Sequence, residues 1–178
     1  MISTCLSLAI ALAAAAPDAG LPGPQARPPS EIVHGRLWQG GAPVDFAWVR
    51  RSGITVVLDV SNPEIYPDPK DIGGLDYIKM PLEDADHLPD LAILDGVVQA
   101  MANAYRGGRK ILVHCRMGLN RSGLVDALLL RQLFNLTGAE AMKTIQSRRE
   151  GSLSNAVFAA HLRSLPRPRP AEPAQTVP

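Results

Sequence analysis

The stretch His114-Cys115-Arg116-Met117-Gly118-Leu119-Asn120-Arg121-Ser122-Gly123 decides the reading of this chain. KILVHC, from Lys110, is a β-type apolar run, and SGLVDALLLRQLF, from Ser122, carries apolar residues at helical spacing. The segment between them is therefore a loop leading from a strand into a helix N-terminus, a place where unpaired backbone N–H groups and the helix dipole favour anions. Gly118 allows the chain to curl tightly. Arg121 adds a planar fork that matches two phosphate oxygens. The backbone N–H groups of Arg116, Met117, Gly118, Leu119, Asn120 and Arg121 can then line an anion cradle. Cys115 at its base turns the cradle into a reaction centre, because a helix N-terminus and nearby cations favour the nucleophilic thiolate. Ser122 stands where its hydroxyl can donate to that sulfur, and His114 is expected to orient the loop through hydrogen bonds or to be a satisfied core histidine.

Working outward, strand and helix signals alternate. GRLWQGG reads as a short strand and turn. PVDFAWVRRSG reads as a helix with Pro43 near its first turn and Gly53 past its end. ITVVLDV (54–60) and DYIKM (76–80) read as strands. LAILDGVVQAMANAYRGG reads as a helix closed by Gly107 and Gly108. Thr137 and Glu140 form a capping box for the next helix, and Ser154 is placed to cap a last one, NAVFAAHLRSL. This order predicts an α/β fold, a single compact domain with a mostly parallel central sheet flanked by helices. Residues 1–30 are an apolar segment followed by a Pro/Gly-rich linker, 31–165 the domain, and 166–178 a Pro-rich, disordered tail.

Bulk properties narrow the function. The 178 residues carry a net charge of +1 and 4% aromatics, so neither a basic surface nor stacking platforms for nucleic acid are expected. The two cysteines, Cys5 and Cys115, have no CxxC or Cys/His partners, so no metal is expected and a disulfide between them is not favoured. The N-terminal apolar run is too short to span a bilayer. It lacks a basic residue before Arg27, and Pro17 follows Ala16; the expectation is a cytoplasmic chain, or an exported one if residues 1–16 act as a signal peptide. Oligomeric state is not readable.

The segment HCRMGLNRSG resembles the active-site pattern of cysteine-dependent phosphatases: His-Cys, five residues, Arg, then Ser or Thr. The compact domain is similar to the small, bacterial-type dual-specificity members, and VVLDV, MPLEDADHLPD and RREGSLSNAVF resemble further segments of that family. The resemblance implies a dual-specificity phosphatase-like fold, no cofactor, and a phosphorylated protein as substrate. It makes Cys115 the nucleophile, Arg121 the phosphate clamp, Ser122 the donor to the leaving sulfur, and Asp84 the general acid with Asp86 as runner-up. Asn155 is expected to support the loop, with helix capping as its alternative role. A tyrosine-rich loop that would deepen the pocket is missing, which favours phosphoserine and phosphothreonine alongside phosphotyrosine. GLNRSG also resembles the loop of RNA triphosphatases, so the same chemistry on a phosphoinositide or an RNA 5′-triphosphate stays open, as does a non-catalytic phosphate-binding module. Asp126 reads as a solvent-facing or capped carboxylate, with a site role as its alternative, and Arg148 with Arg149 as a solvated helix end, with a substrate site as theirs.

Overall fold

The structure, a computed structural model, describes residues 27–42, 44–63 and 67–168. Five strands form one sheet: β1 (Ser30–Val33), β2 (Leu37–Gly41), β3 (Val56–Asp59), β4 (Asp76–Lys79) and β5 (Ile111–Cys115). Their spatial order is β1-β2-β5-β3-β4, with β1 antiparallel to β2 and every other pair parallel. Six helices complete the domain: α1 (Phe46–Arg51), α2 (Pro69–Ile72), α3 (Leu91–Arg106), α4 (Arg121–Phe134), α5 (Gly138–Arg148) and α6 (Ala156–Ser164). The chain is thus a single α/β domain with a mostly parallel sheet, as its alternating signals predict. Among the described residues, no helix is long and apolar enough to cross a membrane.

Strand alternation divides the core in two. Ile111, Val113 and Cys115 of β5 join Leu37, Val56 and Leu58 beneath the large layer that includes α3 to α6. The intervening Leu112 packs with Trp38, Val57, Val49 and Ile54 on the opposite face, with Val49 contributed by α1. The same alternation sends Cys115 toward α4 and His114 away from it. The strand register places Gly41 beside Cys115 and Asp59 beside His114, so the parallel strands end at one edge. Loops leaving that edge build the site, the usual location in open α/β sheets.

Two local expectations are corrected. The first helix begins at Phe46, where the Asp45 side chain accepts from the Trp48 N–H; Pro43 lies outside the described residues. The cap of α6 is Asn155 rather than Ser154, since the Asn155 Oδ1 accepts from the N–H groups of Val157 and Phe158 at 3.0 and 3.1 Å. Ser154 instead donates its hydroxyl to Asn120. The capping box of Thr137 and Glu140 is present as read. Two elements carried no clear sequence signal: β1, which follows a Pro-rich run directly, and the single turn α2, started by Asp68 and Pro69.

Candidate active site

Residues 116–120 form the loop between β5 and α4, and its shape is imposed from outside. The Arg116 carbonyl accepts from Ala42 N at 3.0 Å. The Gly118 carbonyl accepts from Gln39 Nε2 at 3.0 Å and from Arg149 Nε at 2.6 Å. The Leu119 carbonyl accepts from Gln39 Nε2 and from Leu153 N, both at 3.3 Å. In a planar trans peptide a carbonyl and the following N–H point opposite ways. Fastening these carbonyls to the scaffold therefore turns the N–H groups of Met117, Leu119 and Asn120 into the loop.

Gly118 is required here twice over. Its φ is +67°, and a Cβ would lie 2.4 Å from the carbonyl carbon and oxygen of Gly40. Its N–H donates to Cys115 Sγ at 3.2 Å, and Ser122 Oγ lies 3.4 Å from the same sulfur. Cys115 itself is buried at the loop's base. Asn120 stands at the start of α4 without a side-chain cap, which leaves the first-turn amides to the loop.

Arg121 is buried under a cleft of about 520 Å³ that it lines with Asn62, Pro63, Pro81, Leu82, Glu83, Asp84 and Ala85. Its Nη1 donates to Asn62 Oδ1 at 2.7 Å and to the Leu82 carbonyl at 3.2 Å. Its buried Nε is without a partner, a donor left for an anion. Two amides hold Asp84 across this cleft: Asn120 Nδ2 at 3.1 Å and Asn155 Nδ2 at 2.8 Å. The second of these also holds the Ala85 carbonyl at 2.8 Å. Asn155 thus caps α6 and steadies the acidic loop with its side chain, and it touches the phosphate loop only through its backbone N–H, which donates to Asn120 Oδ1 at 3.1 Å. Asp86 is fully exposed, with His87 at 3.5 Å its recorded ionic neighbour. Of the two carboxylates, the structure brings Asp84 to the loop and leaves Asp86 outside.

Three expectations fail on geometry. His114 makes no ring hydrogen bond to the loop, because it points to the other face of the sheet. Its Nε2 lies 3.8 Å from Asp59, whose carboxylate is paired with Lys79 at 2.8 Å. Burial holds the imidazole below the ordinary histidine range, against the opposing pull of Asp59, so it is neutral at pH 7. Arg149 is no solvated helix end: it is 2% exposed and bonds Pro28 O and Ser30 Oγ as well as Gly118. Arg148 beside it is exposed. Asp126 is completely buried and makes no hydrogen bond.

Gln39 and Asn62 are further site residues that the sequence reading passed over. A polar side chain in LWQGG, on a strand otherwise built for burial, is the signal Gln39 offered. Asn62 offered none. Among the described residues, no group of three His, Cys, Asp or Glu side chains is placed to hold a metal ion.

A buried sulfur, a loop fastened with its N–H groups inward, and a cleft lined by Arg121 and Asp84 are now in place. The family model for the dual specificity phosphatase catalytic domain matches residues 40–167. The chain belongs to this family. As a cysteine-dependent dual-specificity phosphatase domain, it is 30% identical over 124 residues to dual specificity protein phosphatase 12 of Rattus norvegicus, covering 68% of this chain and 37% of that one. The chain thus spans a little over a third of that relative. It is 29% identical over 142 residues to dual specificity phosphatase 28 of Homo sapiens, covering 80% of this chain and 77% of that one. The crystal structure of human DUSP28 superposes with a TM-score of 0.70 at 26% identity, covering 80% of this chain and 95% of that one.

Proposed function

We propose that this domain hydrolyses phosphate monoesters on tyrosine, serine and threonine side chains of proteins through a phosphocysteine intermediate. The observation that carries the reading is the convergence of Gly118 N and Ser122 Oγ on Cys115 Sγ, with Arg121 and Asp84 lining one cleft beside it.

The steps follow from the positions. The phosphate oxygens sit against the inward N–H groups of Met117, Leu119 and Asn120 and the Arg121 guanidinium, which neutralise their charge without rearrangement. The Cys115 thiolate attacks phosphorus in line; the S–P bond forms as the P–O bond to the leaving alcohol or phenol breaks. Asp84, protonated at that moment, gives its proton to the departing oxygen. In the second half the Asp84 carboxylate takes a proton from water as that water attacks phosphorus. The S–P bond breaks, and the Ser122 hydroxyl donates to the departing sulfur. Nothing in this sequence calls for a metal, because the sulfur supplies the nucleophile and the loop the positive potential.

The test is turnover of para-nitrophenyl phosphate in EDTA by wild type and Cys115→Ser, followed by a panel of phosphotyrosine, phosphothreonine, phosphoinositide and triphosphorylated RNA. Metal-free turnover that vanishes in Cys115→Ser, with phosphopeptides preferred, is expected. Undiminished turnover in Cys115→Ser would overturn the covalent route, and preference for lipid or RNA would overturn the substrate class.

A further inference from the structure

The steps above find no use for Asp126. It lies four residues after Ser122 on α4, so both side chains project from the same face of that helix. Ser122 Oγ is 3.4 Å from the Cys115 sulfur, and Asp126 follows it one helical turn along α4. The side chain is 0% exposed, and neither carboxyl oxygen has a hydrogen-bond partner. A fully buried, unpartnered carboxylate is among the most costly groups a protein can carry, whereas the neutral acid is far cheaper. Two charged groups act on it among the described residues: the Cys115 sulfur, from β5, and Arg149, past the end of α5. Arg149 spends its bonds on Gly118, Pro28 and Ser30 and makes none to Asp126.

We propose that Asp126 is a positioning residue that pairs with Cys115 beneath the loop, its buried and unbonded carboxyl standing there as the neutral acid. The pair's function rests on the phosphatase reading above. A bound phosphate dianion adds two negative charges to the thiolate, and an ionised Asp126 beneath the same loop would add another with no donor to offset it. A neutral carboxyl keeps the electrostatic load on the loop to what its N–H groups and Arg121 can hold. Burial pushes this carboxyl well above the ordinary range, the negative sulfur pushes it further, and Arg149 opposes both.

The experiment reads the carboxyl directly. Difference infrared spectroscopy of wild type at neutral pH should show the C=O stretch of a protonated carboxylic acid, and Asp126→Asn or Asp126→Leu should lack it. On titration to alkaline pH the band should vanish at a lower pH in Cys115→Ser than in wild type, since serine carries no charge to hold the proton on. Tungstate affinity, measured in parallel, should fall tenfold per pH unit where the wild-type band is lost. Asp126→Asn, which cannot ionise, should show no such fall. The idea is overturned if wild type shows no protonated carboxyl at neutral pH, or if Cys115→Ser loses the band at the wild-type pH. It is equally overturned if tungstate affinity follows the same pH course in Asp126→Asn and wild type. None of these readouts needs turnover, so an inactive but tungstate-binding protein would refute the phosphatase reading while leaving the acid pair intact.

Discussion

Replacing Gly118 by alanine tests whether the loop is held as rigidly as its bonds imply. The new Cβ would meet the Gly40 carbonyl at 2.4 Å and Gly41 N at 2.6 Å, roughly 1 Å inside ordinary contact. Both neighbours are backbone on β2, which is paired on either side and cannot give way cheaply. The φ of +67° adds a left-handed penalty of about 1–2 kcal/mol for an L residue. Overpacking adds about 1–3 kcal/mol, so the total is about 2–5 kcal/mol against a domain stability on the order of 5–15 kcal/mol. The variant should fold with a Tm lower by at least about 5 °C. If the loop yields instead of β2, Gly118 N leaves Cys115 Sγ, and losing a hydrogen bond to a charged group costs about 1.5–3 kcal/mol. That corresponds to a loss in kcat of roughly 10- to 150-fold. Gly35→Ala is the control, because its φ of +64° is similar and nothing lies within 4 Å of its Cβ. It should lower Tm slightly and leave turnover unchanged. Wild-type kcat and Tm in Gly118→Ala would refute the claim that β2 and the loop are locked together.

Other consequences can be measured with the same preparations. Asp84→Ala should reduce hydrolysis of phenyl phosphate about 10²- to 10⁴-fold while sparing activated esters, and should remove the basic limb of the pH–rate profile; Asp86→Ala showing that pattern instead would reassign the acid. Asn155→Ala removes the α6 cap and the 2.8 Å bond to Asp84 together. It should cost about 1 kcal/mol in urea unfolding and lower kcat on poor leaving groups more than on activated ones, and equal losses on both would deny the positioning role. Asp126→Leu should unfold at higher urea than wild type near neutral pH. Because the folded carboxyl binds its proton more tightly than the unfolded one, this group's contribution to wild-type stability declines by about 1.4 kcal/mol per pH unit from about pH 4 upward, until the folded carboxyl itself ionises. The leucine variant has no such slope. An advantage that grows toward acid instead would reverse the sign of the argument.

What could be read in the chain was contiguous. Cys115, Gly118, Arg121 and Ser122 fall within eight consecutive residues, between a β-branched run and a helical one, so their juxtaposition needed no tertiary information. Asp84 was reachable through the family resemblance, and the amides of Asn120 and Asn155 are what distinguish its setting from that of Asp86. Gln39 and Arg149 were not legible as loop anchors, because their bonds to Gly118 span 79 and 31 residues and depend on which strands become neighbours. Asp126 was misread by applying the cost of burying a carboxylate to a helix assumed to have a wet side. α4 is buried on every side from Arg121 to Leu130. The signal was present: LV-D-ALLL is apolar all round, and a helix of that kind has no solvent face on which to place an acid.

The ties that shape the loop reach far along the chain: Gln39 to Gly118, Arg149 to Pro28 across 121 residues, and Asn155 to Asp84 across 71. Each is a single side-chain hydrogen bond rather than part of an apolar layer, so mild perturbation can remove the catalytic geometry while the core persists. Cys115 should then become alkylatable at urea concentrations below those that change the far-ultraviolet circular dichroism. The phosphate loop would serve as the most sensitive gauge of whether the two ends of this domain are docked.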